Sequence, residues 1–141
     1  MLHAKTISTF VGRGWREVYD AFWQPENFPK WASGLSKSGL LKEGGSWKAQ
    51  GAEGPITITF TDYNAFGVMD HWVDLGHGGQ VYVPLRVVAN GSGAEVLLTL
   101  FRQPHMSDEQ FEQDVEWVTR DLASLKALAE GLPLVRANRE Q

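Results

Sequence analysis

Residues 56–101 read ITITFTDYNAFGVMDHWVDLGHGGQVYVPLRVVANGSGAEVLLTLF, and this stretch decides the fold. Three turn-forming segments divide it, namely Asn64-Ala65, His77-Gly78-Gly79 and Gly91-Ser92. These turns predict the cross-strand pairs Ile56 with Val73, Ile58 with His71, Phe60 with Met69, Leu75 with Val81, Val73 with Val83, His71 with Leu85, Val87 with Val96, Leu85 with Leu98 and Val83 with Leu100. Nearly all apolar side chains then share one face, which indicates a four-stranded antiparallel meander, because a slip of one residue would scatter them. Pro84 cannot donate a ladder hydrogen bond and predicts a bulge or bend in its strand.

The segments before this meander predict strands and two short helices. Alternation of apolar residues indicates strands, and a spacing of three to four residues indicates a helix that Pro25 ends. The expected elements are a strand at 3–11, a helix with Trp15, Val18, Tyr19 and Phe22 on one face, a short helical turn at 26–31, and strands at about 35–42 and 46–51.

The last predicted element is a long amphipathic helix at about 108–130. Ser107 is suited to cap its first turn, with Gln110 three residues later as in a capping box, and Gly131 and Pro133 end it. At 100° per residue, one face collects Phe111, Val115, Val118, Leu122, Leu125 and Ala129. A helix with a single apolar stripe needs one partner surface, and the inner face of the sheet provides it.

These elements predict an α+β fold in which a curved antiparallel sheet of about seven strands surrounds the C-terminal helix. No repeat or linker divides the sequence, so residues 1–141 are expected to form a single ligand-binding domain with a short tail after 131. A strongly curved sheet cannot contact a straight helix along its whole length. We therefore expect an apolar space between them.

Composition and charge exclude several classes of function. Hydrophobic residues make up 43% and charged residues 21% of the chain, as in ordinary globular proteins. The net charge of -4, with no cluster of Lys or Arg, argues against binding to nucleic acid or anionic membranes. No apolar run approaches the roughly 20 residues that span a bilayer, and no secretory signal pattern precedes the first strand. We therefore expect a cytoplasmic protein without membrane insertion.

The sequence contains no motif for metal binding or for nucleophilic catalysis. Cysteine is absent, which excludes disulfides and thiolate catalysis. Phosphate-binding loops and the Gly-x-Ser-x-Gly nucleophile motif are also absent. No metal-ligand spacing exists among the four histidines, His3, His71, His77 and His105. We expect neither a metal nor an organic cofactor.

Two parts of the chain resemble the START-type superfamily, also called SRPBCC. The segment Gln24-Pro25-Glu26-Asn27-Phe28-Pro29-Lys30-Trp31 is similar to its helix-to-strand corner. Residues 101–104, 107–110 and 121–126 resemble the terminal strand and helix of its polyketide cyclase/dehydrase-like members, and the resemblance covers about residues 2–131. It implies the helix-grip fold, with a deep cavity closed at one end by the two short helices. This superfamily includes cyclases, lipid carriers, hormone receptors and co-chaperones, so the resemblance leaves the activity open.

The predicted inner face of the sheet, the helix stripe and the two short helices supply the candidate ligand-binding residues. They are Tyr19, Trp31, Ile58, Phe60, Met69, His71, Val83, Leu85, Leu98, Phe111, Val115, Val118 and Leu122. Tyr19 and Trp31 are equally well explained as side chains that pack the short helices onto the sheet. Asp114 and Asp121 flank the helix stripe and are expected in solvent.

His71 and Arg102 are the candidate catalytic residues. His71 lies in the middle of the inner face, where burial would lower its pKa and suit it as a hydrogen-bond donor or general base. The alternative for His71 is a neutral core histidine. Arg102 ends the last strand and could hold a ligand carboxylate through two of its guanidinium nitrogens, and its alternative is a solvated strand end.

The outer face of the sheet carries a possible homodimer surface. Its members are Trp72, Tyr82, Pro84 and Phe101, because exposed aromatic side chains on one face suggest a partner. Trp117 lies about 120° from the helix stripe and could serve the same contact. The alternative is that Asp70, Asp74 and Arg86 solubilise this face around single exposed rings.

The residues leave three functions open, and ligand binding leads. In this leading hypothesis, the chain binds a small hydrophobic or aromatic molecule, lipids included. The second is an enzyme of the polyketide cyclase/dehydratase type, in which His71 or Arg102 would assist proton transfer or stabilise an enolate. The third is a co-chaperone-like module that binds another protein through the outer aromatic face.

Overall fold

Two antiparallel sheets and one long helix form most of the described chain. The computed structural model describes residues 1–33, 39–51, 54–76 and 79–134. Its elements are β1 (Ala4–Val11), α1 (Trp15–Phe22), a 3-10 helix (Pro25–Lys30), β2 (Leu41–Glu43), β3 (Ser46–Gly51), β4 (Gly54–Phe60), β5 (His71–Asp74), β6 (Gln80–Val83), β7 (Leu85–Asn90), β8 (Gly93–Phe101) and α2 (Asp108–Glu130). This order confirms the predicted α+β class. No helix in these ranges is both long and apolar enough to cross a membrane.

The chain passes from one sheet to the other at Pro84. One sheet has the order β1-β8-β7 and the other β2-β3-β4-β5-β6. Pro84 has no N–H group to give to a ladder, and its carbonyl oxygen accepts a hydrogen bond from the backbone N–H of Thr99 at 3.0 Å. The predicted bend is therefore a full break between β6 and β7, which accounts for eight described strands where about seven were predicted.

The predicted register is confirmed in the last hairpin and wrong by two residues in the other two. Val87 lies opposite Val96 and Leu85 opposite Leu98, as predicted. In the β4–β5 hairpin, Ile58 lies opposite Val73 and Phe60 opposite His71, where His71 and Met69 were the predicted partners. In the β5–β6 hairpin, Val73 lies opposite Val81 and His71 opposite Val83, where Val83 and Leu85 were the predicted partners. An even shift keeps every side chain on its face, so the apolar face of the sheet is preserved.

Asn64 explains the first shift, because its side chain builds a longer loop than the predicted two-residue turn. Its Oδ1 accepts hydrogen bonds from the N–H groups of Phe66 at 2.9 Å and Val68 at 3.1 Å. Its Nδ2 donates to the carbonyl oxygen of Val68 at 2.9 Å. Beyond this loop, the N–H of Met69 donates to the carbonyl oxygen of Leu85 at 2.8 Å. The loop therefore joins the two sheets.

The connection between β5 and β6 is also longer than predicted. The last pair of this ladder is Asp74 with Gln80, which leaves residues 75–79 between the strands. His77 and Gly78 of the predicted turn lie outside the described residues. The same holds for residues 35–38 of the strand predicted at 35–42, of which β2 covers the end.

The helix α2 spans the residues that the sequence predicts. Ser107 Oγ accepts from the N–H of Gln110 at 3.1 Å, and Gln110 Oε1 accepts from the N–H of Ser107 at 3.0 Å, which is the expected capping box. Gly131 follows its last turn. Its C-terminal half is held against the sheets by the buried side chains of Leu122, Leu125 and Ala129.

The core determines where free space can remain. The largest fully buried side chains are Tyr19, Ile58, Leu85, Leu122, Leu125, His71, Val11, Val18, Val73, Val87 and Val96. Many of them belong to α1, β7 and β8, so the interior beside α1 is densely filled. Any cavity must therefore lie toward β5, β6 and the first half of α2.

Candidate ligand cavity

A cavity of about 200 Å³ lies between β5, β6, the end of β8 and the N-terminal half of α2. It is lined by Phe28, Trp31, Ala32, His71, Val73, Leu75, Val81, Tyr82, Val83, Leu98, Leu100, Phe101, Gln103, His105, Met106, Asp114, Trp117, Val118 and Asp121. Most of these side chains are apolar or aromatic, as in small-molecule sites generally. The space lies between sheet and helix, as predicted.

The cavity has a closed end and a mouth. The buried side chains of the closed end are Phe28, Trp31, Ala32, His71, Val73 and Leu98. At the mouth, Gln103 and Met106 are half-buried and His105 is exposed. These three residues belong to the loop between β8 and α2. The cavity is therefore most accessible beside this loop.

His71 lies at the closed end with 2% of its surface exposed. Its Nδ1 is 3.3 Å from the carbonyl oxygen of Met69. The ring of Phe28 meets it nearly at right angles, with the centroids 5.2 Å apart. Burial lowers the pKa of His71 to about 4, against the smaller opposing effects of the Met69 carbonyl and Asp70. The imidazole is therefore neutral at neutral pH.

Asp121 is buried on the cavity side of α2, which corrects the prediction that it lies in solvent. Only 7% of its surface is exposed. Ser33 Oγ donates a hydrogen bond to its Oδ1 at 3.0 Å. Because Ser33 follows the 3-10 helix, this bond joins the corner after that helix to α2. Helix periodicity alone carries no signal for such a contact.

The face of α2 that meets the cavity is turned by about 70° from the predicted apolar stripe, at 100° per residue. It presents Asp114, Trp117, Val118 and Asp121. Trp117 therefore lines the cavity, and its service to the contact of the outer face stays a prediction. Phe111 instead packs against His3, with the ring centroids 5.5 Å apart.

The structure divides the predicted ligand-binding residues into three groups. Those that line the cavity are Trp31, His71, Val83, Leu98 and Val118. A second space of about 10 Å³, which holds at most one water molecule, is lined by Phe60, Met69 and Leu85, and His71 lines this space as well as the cavity. Neither space is lined by Tyr19, Ile58, Phe111, Val115 or Leu122. Tyr19 has a packing role, since its hydroxyl oxygen accepts a hydrogen bond from the N–H of Asn64 at 2.9 Å.

Sequence reasoning missed cavity residues at the mouth, on α2 beyond the predicted stripe and at the closed end. The missed residues are Phe28, Ala32, Val73, Leu75, Val81, Tyr82, Leu100, Phe101, Gln103, His105, Met106, Asp114, Trp117 and Asp121. The alternation that placed His71 on the inner face applies equally to Val73, Leu75 and Val81. Tyr82 and Phe101 alternate to the opposite face, so their contact with the cavity depends on the break at Pro84.

The polar side chains of the cavity suit hydrogen bonding better than metal binding. In the ranges that the structure describes, no group of three or more His, Cys, Asp or Glu side chains could hold a metal ion. His71 and Asp121 lie deep in the cavity, and Gln103 lies at its mouth. Nε1 of Trp31 is fully enclosed and has no hydrogen-bond partner among the described residues.

Solved structures with the same arrangement provide a comparison. An uncharacterised protein from Bacillus thuringiensis superposes with a TM-score of 0.72 at 15% identity, covering 90% of this chain and 98% of its own. A START superfamily protein from Mycobacterium smegmatis gives 0.67 at 12% identity, with 93% and 99% covered. The Zhui aromatase/cyclase from Streptomyces sp. R1128 gives 0.67 at 17% identity, with 92% and 94% covered.

The chain has the helix-grip fold. The predicted resemblance to the START-type superfamily is thereby confirmed at the level of the fold. No protein-family model matches the sequence, and no curated protein matches it. Identities of 12–17% leave the ligand and any reaction to be argued from this chain's own residues.

Arg102 lies outside the helix-grip cavity, at the beginning of α2. Its Nη1 forms an ion pair with Asp108, and its Nε donates to the carbonyl oxygen of Met106 at 3.2 Å. Arg102 therefore closes the loop between β8 and α2 and is absent from the cavity lining. The hypothesis that its guanidinium group assists catalysis within the cavity does not fit this position.

The aromatic residues predicted on the outer face form a stacked column beside the helix-grip cavity. The ring centroids of Trp72 and Tyr82 are 5.3 Å apart, and those of Tyr82 and Phe101 are 6.3 Å apart. Tyr82 and Phe101 also line the mouth of the cavity, because β6 and β8 belong to different sheets. These two side chains therefore belong to both the outer surface and the cavity.

Asp70 is buried beside the break at Pro84, which corrects the view of it as a solubilising residue. Its Oδ1 accepts hydrogen bonds from the N–H of Leu85 at 2.9 Å and Nε of Arg86 at 3.2 Å. Its Oδ2 accepts from the hydroxyl of Tyr82 at 2.6 Å and Nη2 of Arg86 at 2.9 Å. Burial raises the pKa of Asp70, but these hydrogen bonds and the charge of Arg86 outweigh it and hold the pKa below its usual value.

Proposed function

We propose that the chain binds a small, mainly apolar aromatic molecule in the cavity between the sheets and α2. The observation that supports this function is a largely apolar space of about 200 Å³. An apolar cavity of about 150 Å³ takes up benzene. This cavity therefore has room for a substituted single ring or a compact two-ring molecule. The rings of Phe28, Trp31 and Trp117 along its length favour an aromatic guest.

Desolvation supplies the free energy of this binding. A ring system of the size of a large aromatic side chain buries roughly 250 Å². At about 25 cal/mol per Å², this burial contributes about 6 kcal/mol before the cost of association is subtracted. His71 at the closed end and Gln103 at the mouth supply the polar contacts that orient the guest.

Displacement of a fluorescent naphthalene dye tests the proposal. We expect the wild type to bind the dye. Unlabelled one- and two-ring aromatic molecules should then displace the dye, and fatty acids are tested as the comparison series. Val118→Trp should fill the cavity and weaken dye binding at least tenfold. Val115→Trp is the matched control, because Val115 is also half-buried on α2 but does not line the cavity. If the wild type binds no dye, or if both variants bind it equally, the proposal is wrong.

An enzyme of the polyketide cyclase/dehydratase type is the second candidate. The observation that favours it is that a neutral His71 and the buried carboxylate of Asp121 line the same cavity, which offers a base and a second polar group to one substrate. With a linear poly-β-ketone, the wild type should then form an aromatic product, and His71→Ala should bind the substrate without turnover. A wild type that binds the polyketone and forms no product would exclude this candidate.

We also propose that the aromatic column of Trp72, Tyr82 and Phe101 contacts a second copy of the chain. All three side chains are half-buried and stack on one another, so a partner could cover them together. Because two of them line the mouth of the cavity, such a contact would also restrict access of solvent to the bound molecule.

A further inference from the structure

The backbone partner of His71 determines which ring nitrogen carries the hydrogen. Nδ1 lies 3.3 Å from the carbonyl oxygen of Met69, and a carbonyl oxygen only accepts hydrogen bonds. Nδ1 is therefore the protonated nitrogen. Burial keeps the ring neutral above a pKa of about 4, so Nε2 has a free lone pair and acts as an acceptor.

Nε2 of His71 lies on the far edge of the ring, away from the strand that carries it. It has no hydrogen-bond partner among the described residues. In those ranges Nε1 of Trp31 is the one side-chain nitrogen that is both fully enclosed and unpartnered, so Nε2 of His71 keeps contact with open space in one of the two spaces that His71 lines. A ligand that donates a hydrogen bond to Nε2 satisfies this acceptor, whereas a ligand without a donor leaves it buried and unpaired in the complex.

The surroundings of the His71 imidazole are aromatic and apolar. Phe28 meets the imidazole of His71 at 5.2 Å between centroids and meets the ring of Trp31 at 5.4 Å. Val73 and Leu98 complete this end of the cavity with apolar surface. The closed end therefore combines space for a flat apolar group with one neutral acceptor.

We infer that the ligand is a hydroxyarene, a one- or two-ring aromatic molecule whose hydroxyl group donates a hydrogen bond to Nε2 of His71. This inference rests on the proposed binding function and narrows it to one chemical class. A ketone, an ether or an ionised carboxylate has no hydrogen to donate at this position. Sites built around a polar partner reject analogues that lack the matching group.

Matched ligands that differ only in the hydroxyl group test the inference. The binding constants of 1-naphthol, naphthalene and 1-methoxynaphthalene, and of the smaller pair 4-ethylphenol and ethylbenzene, would be measured by dye displacement. We expect the hydroxylated member of each series to bind the wild type about tenfold more tightly or better, which corresponds to about 1.4 kcal/mol. His71→Phe should abolish this preference. His3→Phe should retain it, because His3 is exposed and does not line the cavity.

The outcomes separate the inference from the function on which it rests. Equal binding of hydroxylated and unhydroxylated molecules by the wild type would overturn the inference and leave the binding function intact, as would a preference that survives in His71→Phe. Failure of every molecule to bind would overturn both. A measurement on the wild type avoids any loss of folding in the variant: in histidine labelled with ¹⁵N, 1-naphthol should shift the Nε2 resonance of His71 while Nδ1 stays protonated. An Nε2 resonance that does not move on saturation would contradict the inference.

Discussion

His71 makes the stability of the folded chain depend on pH in a window that its burial determines. The pKa of the folded-state imidazole is about 4, whereas an exposed histidine has a pKa of about 6.5. As the pH falls below 6.5, the unfolded chain takes up a proton at this position and the folded chain does not. The contribution of the neutral imidazole to the free energy of unfolding is therefore fully present above pH 6.5 and is lost as the pH falls toward 4.

We expect His71→Phe to remove this part of the pH dependence. The wild-type free energy of unfolding should fall by about 1.4 kcal/mol per pH unit within the window, because each unit of pKa difference has that value. Urea unfolding at pH 7, 6 and 5 measures the slope. His105→Phe is the control, since His105 is exposed. Parallel slopes for the wild type and His71→Phe would show that His71 is not the group responsible.

Single residues of the site could be predicted only where a regular pattern carries them. His71 lies on the inner face because strand alternation tolerates the observed shift of two residues. Asp121 could not be placed, since its burial depends on Ser33, which is 88 positions away in the chain. For Arg102 the sequence left a ligand contact and a solvated strand end open, and its ion pair with Asp108, six residues later, places it at the start of α2.

At the scale of elements, the carboxylate of Asp70 joins three strands at the break that Pro84 makes. It accepts hydrogen bonds from Tyr82 of β6 and from Leu85 and Arg86 of β7, and it directly precedes β5. The N–H of Leu85 is thereby paired although the ladder is interrupted. Asp70 therefore compensates for the hydrogen bonding that Pro84 removes.

Asp70→Asn should lower the free energy of unfolding by about 2–3 kcal/mol at pH 7, because charge-assisted hydrogen bonds to a buried group are lost. The folded-state pKa of Asp70 is lowered, so its contribution is complete above the ordinary value of 3.8 and is lost as the pH falls from there through the lower folded-state pKa. Urea unfolding at pH 7 and pH 3 measures both effects. Asp62→Asn is the control because Asp62 is exposed. A loss at pH 7 no larger than that of the control would refute this role.

Element types and boundaries were largely predictable, whereas hairpin register was predictable only for a simple turn. The residues Gly91 and Ser92 connect β7 and β8 with the expected pairing. The loop around Asn64 is longer, because side-chain hydrogen bonds to Phe66 and Val68 replace the expected turn. Local residue preferences identify a turn at such a position and leave its length undetermined.

At the scale of the whole molecule, the cavity follows from the way the two sheets meet. Val83 and Leu100, predicted to pair, lie on strands of different sheets, and both line the cavity. The sequence predicts a space between a curved sheet and a helix for a general geometric reason. Its position depends on the break at Pro84 and on the rotation of α2, and neither can be read from periodicity.

The homodimer remains a prediction that belongs to the molecule as a whole. Trp72 is the member of the aromatic column that does not line the cavity, so Trp72→Asp tests the surface without altering the site. We expect the wild type to sediment with twice the mass of one chain and Trp72→Asp with the mass of one, because a charge opposite an apolar partner is costly. Phe66→Asp is the control, since Phe66 is 78% exposed and lies in the loop after β4, outside the column. Retained dye binding by Trp72→Asp would show that this variant is folded. A wild type that sediments as a monomer, or a Trp72→Asp variant that stays dimeric, would show that the column is not a homodimer surface.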